Sequence, residues 1–378
     1  MLNKTLGLVL PLWLLTLSST PSLGQETTWK SKLKTKLNPD SLVNGHVNLI
    51  PIPIFQISPE TGVRFGVSMD YFFNATKKDS TYPTRDSFAW IQAAYSLRRQ
   101  LTIEPAWQIF SPEEKWFFRG RGGYSDFSEK VWGFGTTLLP YLDNSTIFYS
   151  RAYLQTAVLK RLAPSIFAGG QIRYNHTYRL RQEPPDAIVL PNEETTVAGG
   201  GWMTTFDSRN NPFSPTQGFY LEIGQLFFGS FLGGKYTYQE SHLDIRHYRP
   251  FSKRHMIAFQ GIATLSTGGE IPFRELPRLG GSNMGRGIVE GRSRDRQFLA
   301  AQTEYRYTIN RFFKAAAFAS IGQVFPDWNS LQWKNFQPTG GIGLRILVNE
   351  KKQLYSRVDL AFSRTDPPGL YFRLMDAF

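Results

Sequence analysis

Residues 63–71 read Val-Arg-Phe-Gly-Val-Ser-Met-Asp-Tyr, an alternation in which every odd position is apolar. The even positions hold arginine, glycine, serine and aspartate, so the two faces of the segment differ in polarity throughout. The same two-residue period returns in Gln302–Ile309, Ile342–Val348 and Leu354–Phe362. A period of two predicts β-strands with one apolar face. Because the other face often carries charge, the pattern favours a polar lumen over the dry core of a sandwich.

The composition agrees with a barrel whose strands meet lipid on one face only. Aromatic residues make up 15% of the 378 residues, yet the mean hydropathy of −0.31 is typical of a soluble protein. After residue 24 no apolar run reaches the roughly 20 residues that a membrane helix needs. The net charge of +13 could indicate nucleic acid, but anionic lipid head groups are better counter-charges for an exported chain. The absence of cysteine excludes disulfides and thiol chemistry.

The N-terminus is typical of a secretory signal. Lys4 precedes the apolar stretch Leu6–Leu17, and the small residues Ser22 and Gly24 precede a predicted cleavage before Gln25. A single membrane anchor is the alternative interpretation. The apolar stretch is short for an anchor, and no stop-transfer flank follows it.

Turn signals rich in proline, glycine and asparagine divide the rest of the chain into about sixteen strands, an even number as in single-chain bacterial barrels. We place these strands near residues 62–73, 86–96, 99–110, 115–124, 130–138, 146–160, 165–178, 194–206, 218–230, 235–249, 254–268, 297–309, 312–324, 336–348, 353–363 and 369–378. With both termini in the periplasm, the longer connections 74–85, 179–193 and 269–296 would all face outward. The predicted domains are a signal peptide at 1–24, a periplasmic N-terminal tail at 25–57 and an outer-membrane β-barrel at 58–378.

Three stretches carry motifs beyond the alternation. The first, at 207–218, is rich in turn residues and includes Asp207, Arg209, Pro212, Pro215 and Gly218. The second, at 279–295, is rich in glycine and arginine and includes Gly285, Arg286, Gly287, Arg292 and Asp295. The third is the last strand, whose predicted outer face carries Leu370, Phe372, Leu374 and the final Phe378. In their order and spacing these stretches resemble the barrel of the BamA/TamA family of outer-membrane assembly factors (bacterial surface antigen type), over about residues 58–378.

The resemblance implies a role for each stretch. The first would be the family's mid-barrel periplasmic turn, and the third the C-terminal signal by which barrels are recognised for insertion. The second would be the signature of the long sixth extracellular loop, which in the family folds into the lumen and pairs its arginine with inward groups. The implied fold is all-β, a transmembrane antiparallel β-barrel of about sixteen strands with that loop in its lumen.

The alternation suggests which groups would pair with Arg286. Glu304 faces inward and is the first candidate partner; Ser320, which stands where the family often has an aspartate, is the second. A buried guanidinium needs such a partner because an unpaired buried charge is costly. An exposed loop arginine is the alternative interpretation of Arg286.

Two features depart from the family pattern. Its assembly factors receive clients through periplasmic POTRA domains, and a tail of residues 25–57 is too short to hold one. Asp376 is predicted on the outward face of the last strand, where only a position near the membrane rim would make a charge tolerable.

No pattern of residues indicates catalysis, a cofactor or a metal site. His242, Asp244 and Arg246 share an inward face, but no nucleophile accompanies them, and a polar lumen cluster explains them better than a hydrolase site. The expected function is therefore accessory, in the insertion of outer-membrane proteins or lipids; a passive pore or structural barrel is the alternative. The expected partners are outer-membrane lipids, lipopolysaccharide, the assembly machinery and client proteins, and not nucleic acid.

Overall fold

The structure, a computed structural model, describes residues 49–58, 60–76, 82, 84–133, 135, 145–183, 194–350 and 352–378. The predicted signal peptide and most of the predicted tail lie outside the described residues. In chain order the strands are β1 (Leu49–Ser58), β2 (Gly62–Phe73), β3 (Ser87–Ser96), β4 (Leu101–Phe110), β5 (Trp116–Lys130), β6 (Thr146–Ala163), β7 (Ile166–Glu183), β8 (Thr195–Asp207), β9 (Gly218–Phe228), β10 (Tyr238–Pro250), β11 (His255–Gly268), β12 (Arg278–Leu279), β13 (Ser293–Arg294), β14 (Gln297–Thr308), β15 (Phe313–Phe325), β16 (Gln337–Asn349), β17 (Leu354–Ser363) and β18 (Gly369–Leu374).

All strands except β12 and β13 form one antiparallel sheet of sixteen, in which each strand pairs with the next in the chain. β12 and β13 pair only with each other, inside the long connection between β11 and β14. Short 3-10 helices lie at Pro112–Glu114, Ser230–Leu232, Phe273–Glu275, Trp328–Ser330 and Trp333–Asn335. Within the described part of the chain, no helix is long and apolar enough to cross a membrane.

The sheet buries polar side chains on its inner face and exposes apolar side chains on its outer face, which is the opposite of a soluble protein. On β2, Arg64 and Asp70 are buried, whereas Phe65, Val67 and Tyr71 are 49%, 45% and 44% exposed. Polar groups can be buried there because they bond to one another inside the barrel, and apolar groups can be exposed because lipid covers them. The predicted all-β barrel of sixteen strands is therefore confirmed.

The first and last strands lie side by side and nearly close the barrel. No backbone ladder joins β1 to β18 among the residues that the structure describes. A side-chain contact joins them instead, since the Gln56 amide, oriented to satisfy both groups, accepts from Arg373 Nη2 at 3.0 Å and from Arg373 Nε at 3.1 Å. We call this junction the seam.

Two strand placements from the sequence were wrong. One real strand was missed and one predicted strand is not observed in the described residues, so the total of sixteen strands is unchanged. Residues 49–57, assigned to the tail, belong to β1. Of the strand predicted at 130–138, Lys130 is the last residue of β5, residues 131–133 form no strand, Gly135 forms only an isolated bridge with Arg294, and residues 134 and 136–138 lie outside the described residues. The prolines at 51 and 53 led to the first error. They lack an N–H group, which an edge strand tolerates, and β1 is the edge strand of this sheet.

Because β1 was missed, the sequence also assigned one connection to the wrong end of the barrel. We call the end of the barrel where β1 begins and β18 finishes the terminal end, and the opposite end the loop end. Connection 74–86 lies at the terminal end, because Arg85 forms ion pairs with Glu114 and Asp207, each at 2.9 Å, at the terminal ends of other strands. The prediction that 74–85 faces the same way as 179–193 and 269–296 was therefore wrong; the connection 269–296 lies at the loop end.

Apolar side chains fill the lumen near the terminal end. Phe213, from the connection between β8 and β9, packs against Phe72 and Phe88 with ring centroids 5.3 Å apart in both cases. Phe378 is only 4% exposed and packs against Tyr248 inside the barrel. The predicted outward face of the last strand thus does not include Phe378. The chain turns at Met375, where φ is 67°, and carries its final residues inward.

Candidate functional site

In the connection 269–296, Arg286 lies between two glycines in the left-handed region. Gly285 has a φ of 74° and Gly287 a φ of 102°. A Cβ at Gly287 would lie 2.9 Å from the backbone of Phe362 on β17. Only glycine allows the loop to turn twice and to approach the barrel wall this closely.

The guanidinium of Arg286 is buried between three strands. Its Nη2 lies 2.8 Å from Glu304 Oε2 on β14, and its Nη1 lies 2.7 Å from Asp359 Oδ2 on β17. Its Cζ lies 3.5 Å from the centroid of the Phe318 ring on β15. Arg286 is 1% exposed and both carboxylates are 0% exposed, so these contacts replace water almost completely.

Arg286 belongs to a larger network that we call the ion-pair layer. Glu304 also binds Arg306 at 2.7 Å and Arg345 at 2.9 Å, and Asp359 binds Arg345 at 2.6 Å and Arg357 at 2.8 Å. A third carboxylate contributes 3.0 Å contacts to two of these arginines. The members of the layer are Arg286, Arg306, Arg345, Arg357, Glu304, Asp359 and Asp376.

The register of the strands explains how this layer forms. Arg345 on β16 lies directly opposite Arg357 on β17, a pairing of like charges that would be unfavourable alone. Asp359, two residues along β17, lies opposite Gly343, and a side chain at Gly343 would clash with the Asp359 carboxylate and the Arg345 guanidinium. The missing side chain of Gly343 therefore leaves the space in which Asp359 bridges both arginines.

Further contacts tie the loop to the wall. Arg357 Nη2 donates to the Ser282 carbonyl oxygen at 2.8 Å, and the backbone N–H of Gly287 donates to Tyr371 Oη at 3.0 Å. Arg292 forms an ion pair with Asp366 at 2.7 Å, in the connection between β17 and β18. These contacts tie the loop to the last two strands, in addition to the contacts of Arg286 with β14 and β15.

Asp295, predicted as part of the signature, has a local role in the structure. Its carboxylate accepts from the backbone N–H of Arg296 at 2.8 Å, and its own N–H donates to the Pro277 carbonyl oxygen at 3.1 Å. Burial raises the pKa of the Asp295 carboxyl above its usual value. Among the described contacts, Asp295 takes no part in binding Arg286.

Two residues of the site differ from their predictions, and a third was not predicted. Ser320 Oγ lies 2.6 Å from Thr339 Oγ1, and the described hydrogen bonds of Arg286 go to other residues, so Ser320 is not its partner. Asp359 supplies the second carboxylate and was not singled out from the sequence, although the alternation had placed it inward beside Arg357. Asp376 faces inward because the chain leaves the strand path after Leu374.

The predicted periplasmic turn lies at the terminal end and folds back on itself. Arg209 Nε donates to Asp207 Oδ1 at 2.8 Å, and Gly218 adopts a φ of 114° that a larger residue would strain. The carbonyl oxygen of Pro215 accepts from Arg306 Nη1 at 3.2 Å. Pro212 lines a lumen cavity beside this turn. The turn therefore touches the ion-pair layer from the terminal side.

The lumen contains a larger and a smaller cavity that share no lining residue. One of about 990 Å³ lies towards the loop end, and one of about 600 Å³ lies towards the terminal end. His242, Asp244 and Arg246 line the second cavity, where Arg246 Nη2 contacts Asp244 Oδ2 at 2.5 Å. In the described ranges no cluster of histidine and carboxylate residues could hold a metal ion.

Comparisons with known proteins place the chain in a family. Residues 57–362 match the Omp85 superfamily domain. BamA from Haemophilus ducreyi lacking POTRA domains 1–3 is similar in structure with a TM-score of 0.54 at 10% identity, over 92% of this chain and 77% of that chain. No curated protein matches the chain in sequence.

CdiB from two organisms is also similar in structure. The Acinetobacter baumannii protein gives a TM-score of 0.58 at 11% identity, over 86% of this chain and 59% of that chain. The Escherichia coli protein gives 0.54 at 10% identity, over 87% of this chain and 62% of that chain. The present chain therefore spans about three fifths of each CdiB chain. The matched domain and the barrel identify the chain as an outer-membrane member of the Omp85 superfamily.

Proposed function

We propose that this protein is an accessory factor in the insertion of proteins or lipids into the outer membrane. The observation that carries the proposal is the seam, where β1 and β18 meet through side chains and without a backbone ladder in the described residues. An edge strand with unpaired backbone groups can accept another strand by pairing. Membership of the Omp85 superfamily supports the same role.

The seam is the one junction without a ladder among the described strands, and this difference supports opening of the barrel there. Every other pair of neighbouring strands is joined by a ladder, and the sixth-loop contacts brace β14, β15 and β17 through Arg286. The prolines at 51 and 53 lie two residues apart, so the donors that they lack belong to the same edge of β1, and this limits how firmly β1 can pair along that edge. A client strand would therefore meet the least resistance at the seam.

The passive-pore alternative finds less support in the lumen. The ion-pair layer and the folded loop occupy its middle, and Phe213 and Phe378 fill it towards the terminal end. The cavities of about 990 Å³ and 600 Å³ have no lining residue in common. An open water path through the barrel would require these groups to move.

The proposed partners follow from the same arrangement. The outward apolar faces would contact outer-membrane lipids, and the cationic lumen would favour anionic groups such as those of lipopolysaccharide. Client barrels and the assembly machinery would meet the seam. We assign no role in catalysis or nucleic-acid binding.

A locked seam tests the proposal, because the chain contains no cysteine of its own. Gln56→Cys with Arg373→Cys, joined by a short thiol crosslinker, should abolish the ability of the protein to restore a depleted strain's outer-membrane protein profile. His242→Cys with Thr264→Cys, on two strands that are already paired, is the matched control and should restore it after crosslinking. An unchanged profile on depletion, together with a steady large conductance in planar bilayers, would favour the passive pore.

A further inference from the structure

The larger cavity lies at the loop end of the lumen, against the seam. Its lining includes Glu60 from the turn after β1, and Pro367 from the turn before β18. Ile57 and Leu370, on the outward faces of β1 and β18, also line it. Leu370 is 40% exposed on the outer surface of the barrel. The cavity therefore extends from the polar lumen to the lipid-facing side of the seam.

The wall of this cavity carries more positive than negative charge. Its six cationic side chains are Arg98, Lys130, Arg151, Arg274, Arg278 and Arg292. Its four carboxylates are Glu60, Glu129, Glu290 and Asp366. Burial raises the pKa of the Glu60 carboxyl, and protonation of Glu60 would increase the positive excess further.

The carboxylates are engaged with only part of this positive charge. Arg278 pairs with Glu290 at 2.9 Å, and Arg292 pairs with Asp366 at 2.7 Å. Neither Arg151 nor Lys130 forms an ion pair with a carboxylate in the part of the chain that the structure describes. Arg151 donates through Nε to the neutral Asn175 Oδ1 at 2.6 Å, so the wall formed by β5 and β6 carries positive charge that no carboxylate balances in the described part of the chain.

Arg274 is the most unusual group on this wall. Its side chain is 7% exposed, and its Nε and Nη1 atoms have no hydrogen-bond partner within the described structure. Its ion pair with Glu129 is long, since Nε lies 3.8 Å from Oε1, beyond hydrogen-bond distance, and Arg294 binds the same carboxylate more closely, at 2.8 Å. Buried donors of this kind are nearly always paired in native proteins, with protein, water or an ion. The fork of a guanidinium suits the oxygens of a phosphate.

We propose that this cavity binds a phosphate monoester, with Arg274 as the principal ligand and with Lys130 and Arg151 on the same wall. The lipid-facing side chains of Ile57 and Leu370 at its margin fit a phosphate carried on a membrane amphiphile, whose acyl chains would stay in the bilayer. A soluble sugar phosphate offers the same phosphate chemistry without the chains. The site deepens the proposed partnership with anionic lipid and rests on it, but it does not require the insertion activity.

Binding to the full chain in neutral detergent, followed by native mass spectrometry, tests this site. The probes are bisphosphorylated lipid A, the same lipid with both phosphates removed, and soluble glucosamine 1-phosphate. We expect one phosphorylated lipid to bind per chain, and Arg274→Gln to weaken it about tenfold, the effect of one charge-assisted bond. Arg246→Gln, at a half-buried arginine that lines the other cavity, is the matched control and should leave binding within about twofold.

The outcomes separate the alternatives. Binding of glucosamine 1-phosphate with the same dependence on Arg274 supports the site, and its strength relative to the lipid shows whether the acyl chains contribute. Equal binding of the phosphate-free lipid, or an equal loss in Arg246→Gln, would overturn it. Should Arg274→Gln fail to fold, the exposed Lys130→Gln should still weaken binding, and unchanged affinity in that variant would count against the site. Depletion profiling measures the insertion role independently, so either proposal can fail alone.

Discussion

At the scale of single residues, the charged side chains of the ion-pair layer each contact several partners. Arg286 contacts two carboxylates and an aromatic ring, and each carboxylate contacts further arginines. Breaking a buried pair leaves an uncompensated charge, which is more costly than the pair is stabilising. The consequences of a substitution therefore depend on how many partners the lost group leaves behind.

Two substitutions in the ion-pair layer should differ in their cost to stability. Arg286→Ala leaves Glu304 with Arg306 and Arg345, so we expect a loss of about 2–3 kcal/mol in the free energy of unfolding. Glu304→Ala leaves three buried guanidiniums short of a partner, and we expect about 3–5 kcal/mol. Urea unfolding in lipid vesicles measures both. The double variant should lose less than the sum, and a milder effect of Glu304→Ala would contradict the network.

Gly287 provides a second test at this scale. Gly287→Ala places a Cβ at a φ of 102° and 2.9 Å from the Phe362 backbone, so it should cost about 1–3 kcal/mol and loosen the loop. Limited trypsin digestion should then cut at Arg292 or Arg296, which the intact loop protects. Gly261→Ala, where a Cβ meets nothing within 4 Å, is the control and should remain resistant. Equal digestion of the two variants would show that Gly287 does not hold the loop.

At the scale of elements, Arg85, shortly before β3, links two other elements at the terminal end of the barrel. Arg85 joins Glu114 between β4 and β5 to Asp207 at the end of β8, and its Cζ lies 4.4 Å from the Phe110 ring centroid. A connection that contacts distant strands stabilises their arrangement as well as its own.

Arg85→Ala should therefore lower the free energy of unfolding by about 2 kcal/mol, because it leaves Glu114 nearly buried without its cation. Arg181→Ala is the control, since its pair with Glu183 is exposed at 64% and 50% and such pairs contribute about 0–1 kcal/mol. Thermal unfolding followed by the mobility of unboiled samples on gels compares the two. Indistinguishable transitions would show that Arg85 does not brace the terminal end.

At the scale of the whole molecule, the outward apolar faces make the stability of the barrel depend on lipid. Val67→Arg, on the outer face of β2, should cost about 2–4 kcal/mol if the substituted position lies near the bilayer midplane. Leu97→Arg, at a turn of the loop end where Leu97 is 71% exposed, should cost about 0–1 kcal/mol. Urea titration of the protein folded into vesicles measures the difference. Equal midpoints for the two variants would contradict a transmembrane position for β2.

The alternation of the sequence determined the architecture because a β-strand places successive side chains on opposite faces. The same rule placed Glu304 in the lumen before any contact was known. It could not place β1, since the prolines at 51 and 53 break the pattern of a central strand but not of an edge strand. One missed strand was enough to assign connection 74–86 to the wrong end.

Only the tertiary structure decided which charges meet. Arg286 and Asp359 are separated by 73 positions in the chain, and no local period links a loop residue to the strand that it crosses. Strand alternation predicts the face of a residue, whereas its partner depends on register across several strands and on the path of the loop between them. Asp376 and Phe378 show the same limit, because a single turn at Met375 moves both from a predicted outer face into the lumen.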